Sequence, residues 1–279
     1  MLFGGETAES YYEEGVTAVM KGDLDQAARH LTRALELDAS MYGAHHQLGK
    51  CRMRQGRMKE AVQHLEKATR NLPELAPPHV DLGFALLTLN NIDNAREQFS
   101  AALQIKSDDA RAVLGLGYCA FERQQWETAA GLVSRALELG RIHFDAHFLL
   151  AQALDRAGML EEAMPHFKKA LELMDQSIET NPEQPTGYYL RGSVYFLLQH
   201  FVNARQDFEA ARERADHERH YAAYHHHFNY CDILAMLGRC LLKLGKSDDA
   251  ARIGQDILTL APDHPVGREL AHTRDATES

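Results

Sequence analysis

From Ala8 onward the chain is a succession of amphipathic stretches in which apolar residues recur three and four positions apart. That spacing returns side chains to one face of a 3.6-residue helix, so each stretch predicts a helix with one buried side. Short polar turns near "KGD", "QGR" and "LNN" divide the stretches into pairs. The small residues keep a longer interval. Gly15, Gly49, Gly83 and Gly117 lie 34 residues apart, as do Ala27, Ala61, Ala95 and Ala129, and again Ala34, Ala68, Ala102 and Ala136. Each 34-residue block therefore predicts a helix, a turn and a second helix.

Small residues recur because two antiparallel helices approach closely only where Gly or Ala leaves room at the crossing. The larger residues four positions after the first alanine, Leu31, Leu65 and Phe99, are expected to fill the adjoining gap. Pro73, Pro182 and Pro262 are expected to end second helices, since the ring cannot continue the hydrogen-bond ladder. With these features in register the chain resembles the tetratricopeptide repeat family, which sets an aromatic, Leu-Gly, a large residue, Ala, Phe, Ala and Pro at fixed offsets. The second block carries the pattern as His45, Leu48, Gly49, Gly56, Ala61, Leu65, Ala68 and Pro73. The resemblance implies an all-α fold, a right-handed superhelical solenoid of about seven helix-turn-helix repeats. The repeats fall at 8–41, 42–75, 76–109, 110–143, 144–184, 185–230 and 231–264. An N-terminal extension at 1–7 precedes them, and a short capping helix with a frayed tail is expected at 265–279.

Two insertions interrupt the register. Seven extra residues follow the fifth repeat, in "LMDQSIETNPEQ". Seven is close to two helical turns, so the second helix can lengthen and keep its face. Twelve more follow the sixth repeat, within "HERHYAAYHHHFNYC". Both belong to the edge where second helices end, where they are expected to pack together.

Composition narrows the chemistry. Apolar residues make up 45% of the 279, enough for a sizeable core. A net charge of −10 with no run of Lys and Arg argues against nucleic acid. The N-terminus lacks a cationic segment followed by an apolar run, and no stretch is long enough for a membrane helix, so a cytoplasmic protein with no direct membrane insertion is expected.

Individual motifs yield to the repeat. Cys51, Cys119 and Cys240 all occupy the tenth repeat position, where small residues stand elsewhere, so they read as buried structural thiols. His45, His79 and His147 share position 4, and His30, His64 and His166 share position 23. "GKS" at 245–247 lacks the glycine five residues earlier that a phosphate loop needs, and "HERH" is one residue short of the zinc-protease spacing. No nucleophile elbow or dinucleotide fingerprint occurs, so no enzyme and no cofactor is expected. The segment 217–231 reads as the first helix of the last repeat extended by about three turns. One stripe joins His217, His220, Tyr224, His227, Cys231 and Leu234; the next joins Tyr221, His225, Phe228 and Ala235. No metal is assigned; His227 and Cys231, four apart, are the only pair with ligand spacing, and His220 or a residue of the neighbouring insertion is the candidate third ligand.

The family resemblance also points to a site. First helices line the concave side of such arrays, with positions 2, 5, 9 and 12 toward the groove. Here these positions supply Tyr12, Lys50, Met53, Phe84, Leu87, Arg111, Leu114, Tyr118, Phe121, Phe148, Tyr189 and Phe196 as a partner-binding groove. Phe84, Tyr118, Phe121 and Phe148 are the expected anchors, oriented by Lys50 and Arg111. The family's clamp for acidic chaperone C-termini uses Lys and Asn where this chain has Tyr12 and Val16, which argues against that role. The expectation is a non-catalytic adaptor or scaffold that binds a protein partner, as an amphipathic helix or hydrophobic peptide. The alternatives are a homo-oligomer formed through terminal repeats and a His-rich metal-binding or pH-sensing regulator.

Overall fold

The computed structural model describes residues 7–71, 73–140, 144–223 and 226–274. First helices α1 (Ala8–Lys21), α3 (Tyr42–Arg54), α5 (Ala76–Thr88), α7 (Ala110–Glu122), α9 (Phe144–Arg156), α11 (Pro185–Leu197) and α13 (Tyr230–Lys243) alternate with second helices. The second helices are α2 (Leu24–Leu37), α4 (Met58–Asn71), α6 (Ile92–Ile105), α8 (Trp126–Leu139), α10 (Leu160–Thr180), α12 (Phe201–Arg214) and α14 (Ser247–Leu260). A short α15 (Pro265–Ala271) and a 3-10 turn at His272–Arg274 follow. Residues 1–6 and 275–279, which hold most of the expected extension and tail, lie outside the described residues.

Local chemistry sets the helix boundaries. Thr7, Asp23 and Asp109 each place a side-chain oxygen on a backbone N–H of the first turn they precede. Gly22, Gly56, Gly158 and Gly245 turn the chain between paired helices with φ of 81°, 74°, 80° and 72°. Asn90, Gln124 and Gln199 do the same work at φ near 59°, a strained choice for residues with a Cβ.

The crossings show why glycine recurs. A Cβ on Gly49 would lie 2.6 Å from Leu65 Cγ, and one on Gly83 would lie 2.6 Å from the Phe99 ring. Gly15 faces Leu31 and Gly117 faces Val133 in the same way. Phe99 also lies flush against Gly115, so its ring is held between two bare stretches of backbone. Leu31, Leu65 and Phe99 are all fully buried.

The chain divides into two compact units, one of Met1–Ile142 with Leu149–Leu160, the other of His143–Phe148 with Glu161–Ser279. In the first, α3, α5 and α7 each pack on their own second helix and on the preceding one, and α1 meets α3, α3 meets α5, and α5 meets α7. In the second, α10 runs for 21 residues where the other second helices have 14. Arg191 clamps this longer helix: its Nε and Nη2 donate to Asp207 of α12 at 2.8 and 2.6 Å, and Nη1 donates to Asp175 of α10 at 2.7 Å. The insertion edge is tied in by Arg214, which donates to the Pro182 carbonyl at 2.8 Å and lies over the Tyr188 ring. Leu270 of α15 buries itself against Gly238 and Gly254 and closes the end.

The expected helical extension at 217–231 is not what forms. Tyr221–Ala223 (β1) and His226–Phe228 (β2) make an antiparallel hairpin, with Tyr221 opposite Phe228 and Ala222 opposite His227. Two features impose it. Asn229 is extended, its side chain accepts from the Asp232 N–H, and Asp232 accepts from the Asn229 N–H, so a reciprocal box starts α13 at Tyr230. Upstream, the Tyr221 and Phe228 rings stack at 5.3 Å, and Phe228 stacks on Tyr189 of α11 at 4.0 Å. Tyr224 and His225 of the expected stripes lie outside the described residues.

Candidate protein-binding face

The first unit places α3, α5 and α7 next to one another, and three cations of α3 and α7 are exposed. Lys50 and Arg54 of α3 are exposed. Arg111 of α7 keeps 56% of its side chain exposed while Nη2 donates to Asp81 at 2.7 Å. Asp81 itself is buried, 4% exposed, and its second oxygen pairs with His46 Nε2 at 2.8 Å. Burial pushes the Asp81 carboxyl up, but the His46 bond and the Arg111 charge outweigh it and hold it below the usual carboxylate value. The network therefore ties α3, α5 and α7 together and fixes the Arg111 guanidinium over the Phe84 ring, 5.5 Å from its centre.

The groove residues sort into two groups. Met53, Leu87 and Tyr118 are partly buried against the core of α3–α7, Tyr12 packs on the α1–α3 core, and Phe121 is half-buried with its edge on Trp126 at 5.0 Å. Phe84 and Leu114, expected to face a partner, are instead only 3% and 2% exposed. Phe84 meets Phe99 edge-on at 4.8 Å, so it forms the floor beneath Arg111 and is no anchor. Phe148, Tyr189 and Phe196 belong to the second unit. Phe148 is buried against Phe144, another correction to the anchor set. Tyr189 stacks on Phe228 and burial pushes its phenol up, while Phe196 meets Phe201 edge-on at 5.5 Å.

Cys51, Cys119 and Cys240 are buried free thiols; burial pushes Cys119 and Cys240 up to about 12, which keeps them protonated and unreactive. The His220 and His227 rings stack at 5.8 Å on opposite sides of the hairpin turn. Among the described residues no group of three or more His, Cys, Asp and Glu is placed to hold a metal. Sequence reasoning missed Asp81 and Arg191; the signal for Asp81 was a lone acid within the apolar run "HVDLGFALL".

Helix pairs of this length and spacing define a helical repeat protein. Residues 18–82 match one tetratricopeptide repeat model, and residues 80–142, 121–178 and 166–218 match a second. The chain belongs to the tetratricopeptide repeat family, which generally mediates protein–protein interactions as a non-enzymatic scaffold. It is similar to mouse tetratricopeptide repeat protein 21A, 24% identical over 70% of this chain and 15% of that protein. Human DnaJ homolog subfamily C member 3 is 22% identical over 77% of this chain and 45% of its own length. The chain thus spans less than half of these curated relatives. Among solved structures, a tetratricopeptide repeat protein from Parabacteroides merdae superposes with a TM-score of 0.60 at 18% identity, covering 96% of this chain and 99% of that one. The MamA protein matches with a TM-score of 0.52 at 24% identity over 63% of this chain and 97% of that one. The likeness to both structures is one of fold.

Proposed function

We propose that the chain is a non-catalytic adaptor whose first unit docks a protein segment on the face formed by α3, α5 and α7. The observation that carries this reading is the juxtaposition of exposed Lys50, Arg54 and Arg111 with half-buried Met53, Leu87, Tyr118 and Phe121 in a chain of net charge −10. Such a surface suits an amphipathic segment whose apolar side chains reach the half-buried rings while its carboxylates meet the cations. The buried Asp81 pre-sets Arg111, so docking does not have to order that side chain. No helix among the described residues is long and apolar enough to cross a membrane, and the proposed compartment is the cytoplasm.

The test is affinity capture from the native host with wild type and a Lys50→Glu/Phe121→Glu variant, both checked for equal helicity. A protein held by wild type and lost by the folded variant supports the face. A protein held equally by both removes it. Capture of the chain itself as sole partner would replace the adaptor reading with homo-oligomerisation.

A further inference from the structure

Repeat positions 4 and 23, which are 19 residues apart, meet across the paired helices. In the second repeat they are His45 and His64, with the two Nδ1 atoms 3.0 Å apart and rings at 5.2 Å. In the fifth they are His147 and His166, with Nδ1 atoms 3.1 Å apart and rings at 5.4 Å. In the third repeat the same place holds His79 and Gln98, joined from Nδ1 to Oε1 at 2.8 Å. The chemistry of the two kinds of pair differs. A Nδ1–H donating to an amide oxygen survives protonation of its ring, because the imidazolium still carries that hydrogen. A Nδ1-to-Nδ1 contact needs one nitrogen bare. One proton on the pair strengthens the bond, but a second leaves two N–H groups and two positive charges facing each other.

We infer that the His45–His64 and His147–His166 pairs are acid-released latches, each holding a first helix on its second helix until both rings are protonated. Their surroundings oppose the second proton. Burial, then the His45 charge, then Lys67 and Arg52 push His64 down to about 4, with Glu60 acting the other way. His45 is also lowered, by burial and Lys67, against a bond it donates to the Ala39 backbone. Among the described residues no charge from α1, α2 or α5, the other helices packed on α3 and α4, acts on either ring. In the second unit His147 is lowered by burial, His166 and Lys169, with Asp145 opposing, and His166 is lowered by burial.

The sign follows from linkage. A histidine lowered in the folded state costs nothing above its ordinary value near 6.5, because neither state is protonated there. As pH falls through that value the open state takes up protons that the closed pair refuses, so opening is favoured down to the folded value. Between pH 7.5 and 5.5 His64 alone raises the opening equilibrium of α3–α4 about tenfold. Since α3 carries Lys50 and Met53, acid would also loosen the proposed docking face; that consequence rests on the docking reading, whereas the latch does not.

The experiment is amide hydrogen exchange of the full chain at pH 7.5 and 5.5, corrected for intrinsic rates, in wild type, His64→Gln and His166→Gln. Each substitution copies the third repeat. Expected is a rise in opening of about tenfold for α3–α4, a rise of the same sign around His147 and His166, and no comparable change for α5–α6. Each variant should lose the response at its own pair only. An α3–α4 response no larger than that of α5–α6 in wild type overturns the latch, and so does a response that persists in a folded His64→Gln protein. The wild-type comparison decides the matter even where a variant fails to fold.

Discussion

Phe99 in the first unit and Phe228 in the second are both fully buried, yet they are held in different ways. Phe99 lies against Gly83 and Gly115, where the absence of a side chain makes the space. Phe228 lies among rings, stacked with Tyr189 and Tyr221. A backbone slot accepts one arrangement of the helices around it. A stack of flat rings is compatible with more than one backbone, because the rings rather than the chain make the contact.

The sharpest way to break this comparison is to remove each ring. Phe99→Ala is expected to cost about 3–5 kcal/mol, toward the upper end because glycine offers no side chain to fill the void. Phe228→Ala should cost less, about 3 kcal/mol, since Tyr189 and Tyr221 can lean into the space. Denaturant unfolding of both variants gives the two numbers, and equal losses would erase the distinction. The next effect is overpacking. Gly115→Ala is expected to cost about 1–3 kcal/mol, because the ring it strikes already rests on Gly83. An unchanged midpoint would mean that the α5–α7 crossing yields easily. The smallest effect concerns the hairpin's boundary. Asn229→Ala should cost about 1 kcal/mol by removing the cap of α13 while β1 and β2 stay paired. A rise in helicity by circular dichroism, with α13 growing back through the hairpin, would show that the cap alone and not the ring stack keeps this segment from being helical.

The same contrast explains what the sequence disclosed. Gly49 with Leu65 and Gly83 with Phe99 are tight steric pairs at a fixed interval, so the 34-residue spacing carried the helix pairing directly. Tyr221 and Phe228 are seven residues apart, which aligns them on a helix after two turns and equally across a short hairpin. Spacing could not separate the two; the decisive signal was Asn229 followed by Asp232, a helix start that the aromatic stripe masked. The groove was legible in outline only. Repeat position identifies which side of a helix a residue occupies but not how deeply the neighbouring repeat covers it. Phe84, Leu114 and Phe148 are therefore buried, whereas Lys50, at the same repeat position as Phe84, is exposed. Asp81 and the histidine pairs depend on contacts between helices 19 to 35 residues apart, which no local pattern encodes.

The most direct test of the docking face places a photo-crosslinking residue at Phe121 in one protein and at exposed Arg29 of α2 in another, each irradiated in native host extract. A defined crosslinked species is expected from position 121 that position 29 does not yield. The same species from both positions, or a species from position 29 alone, would contradict the docking face.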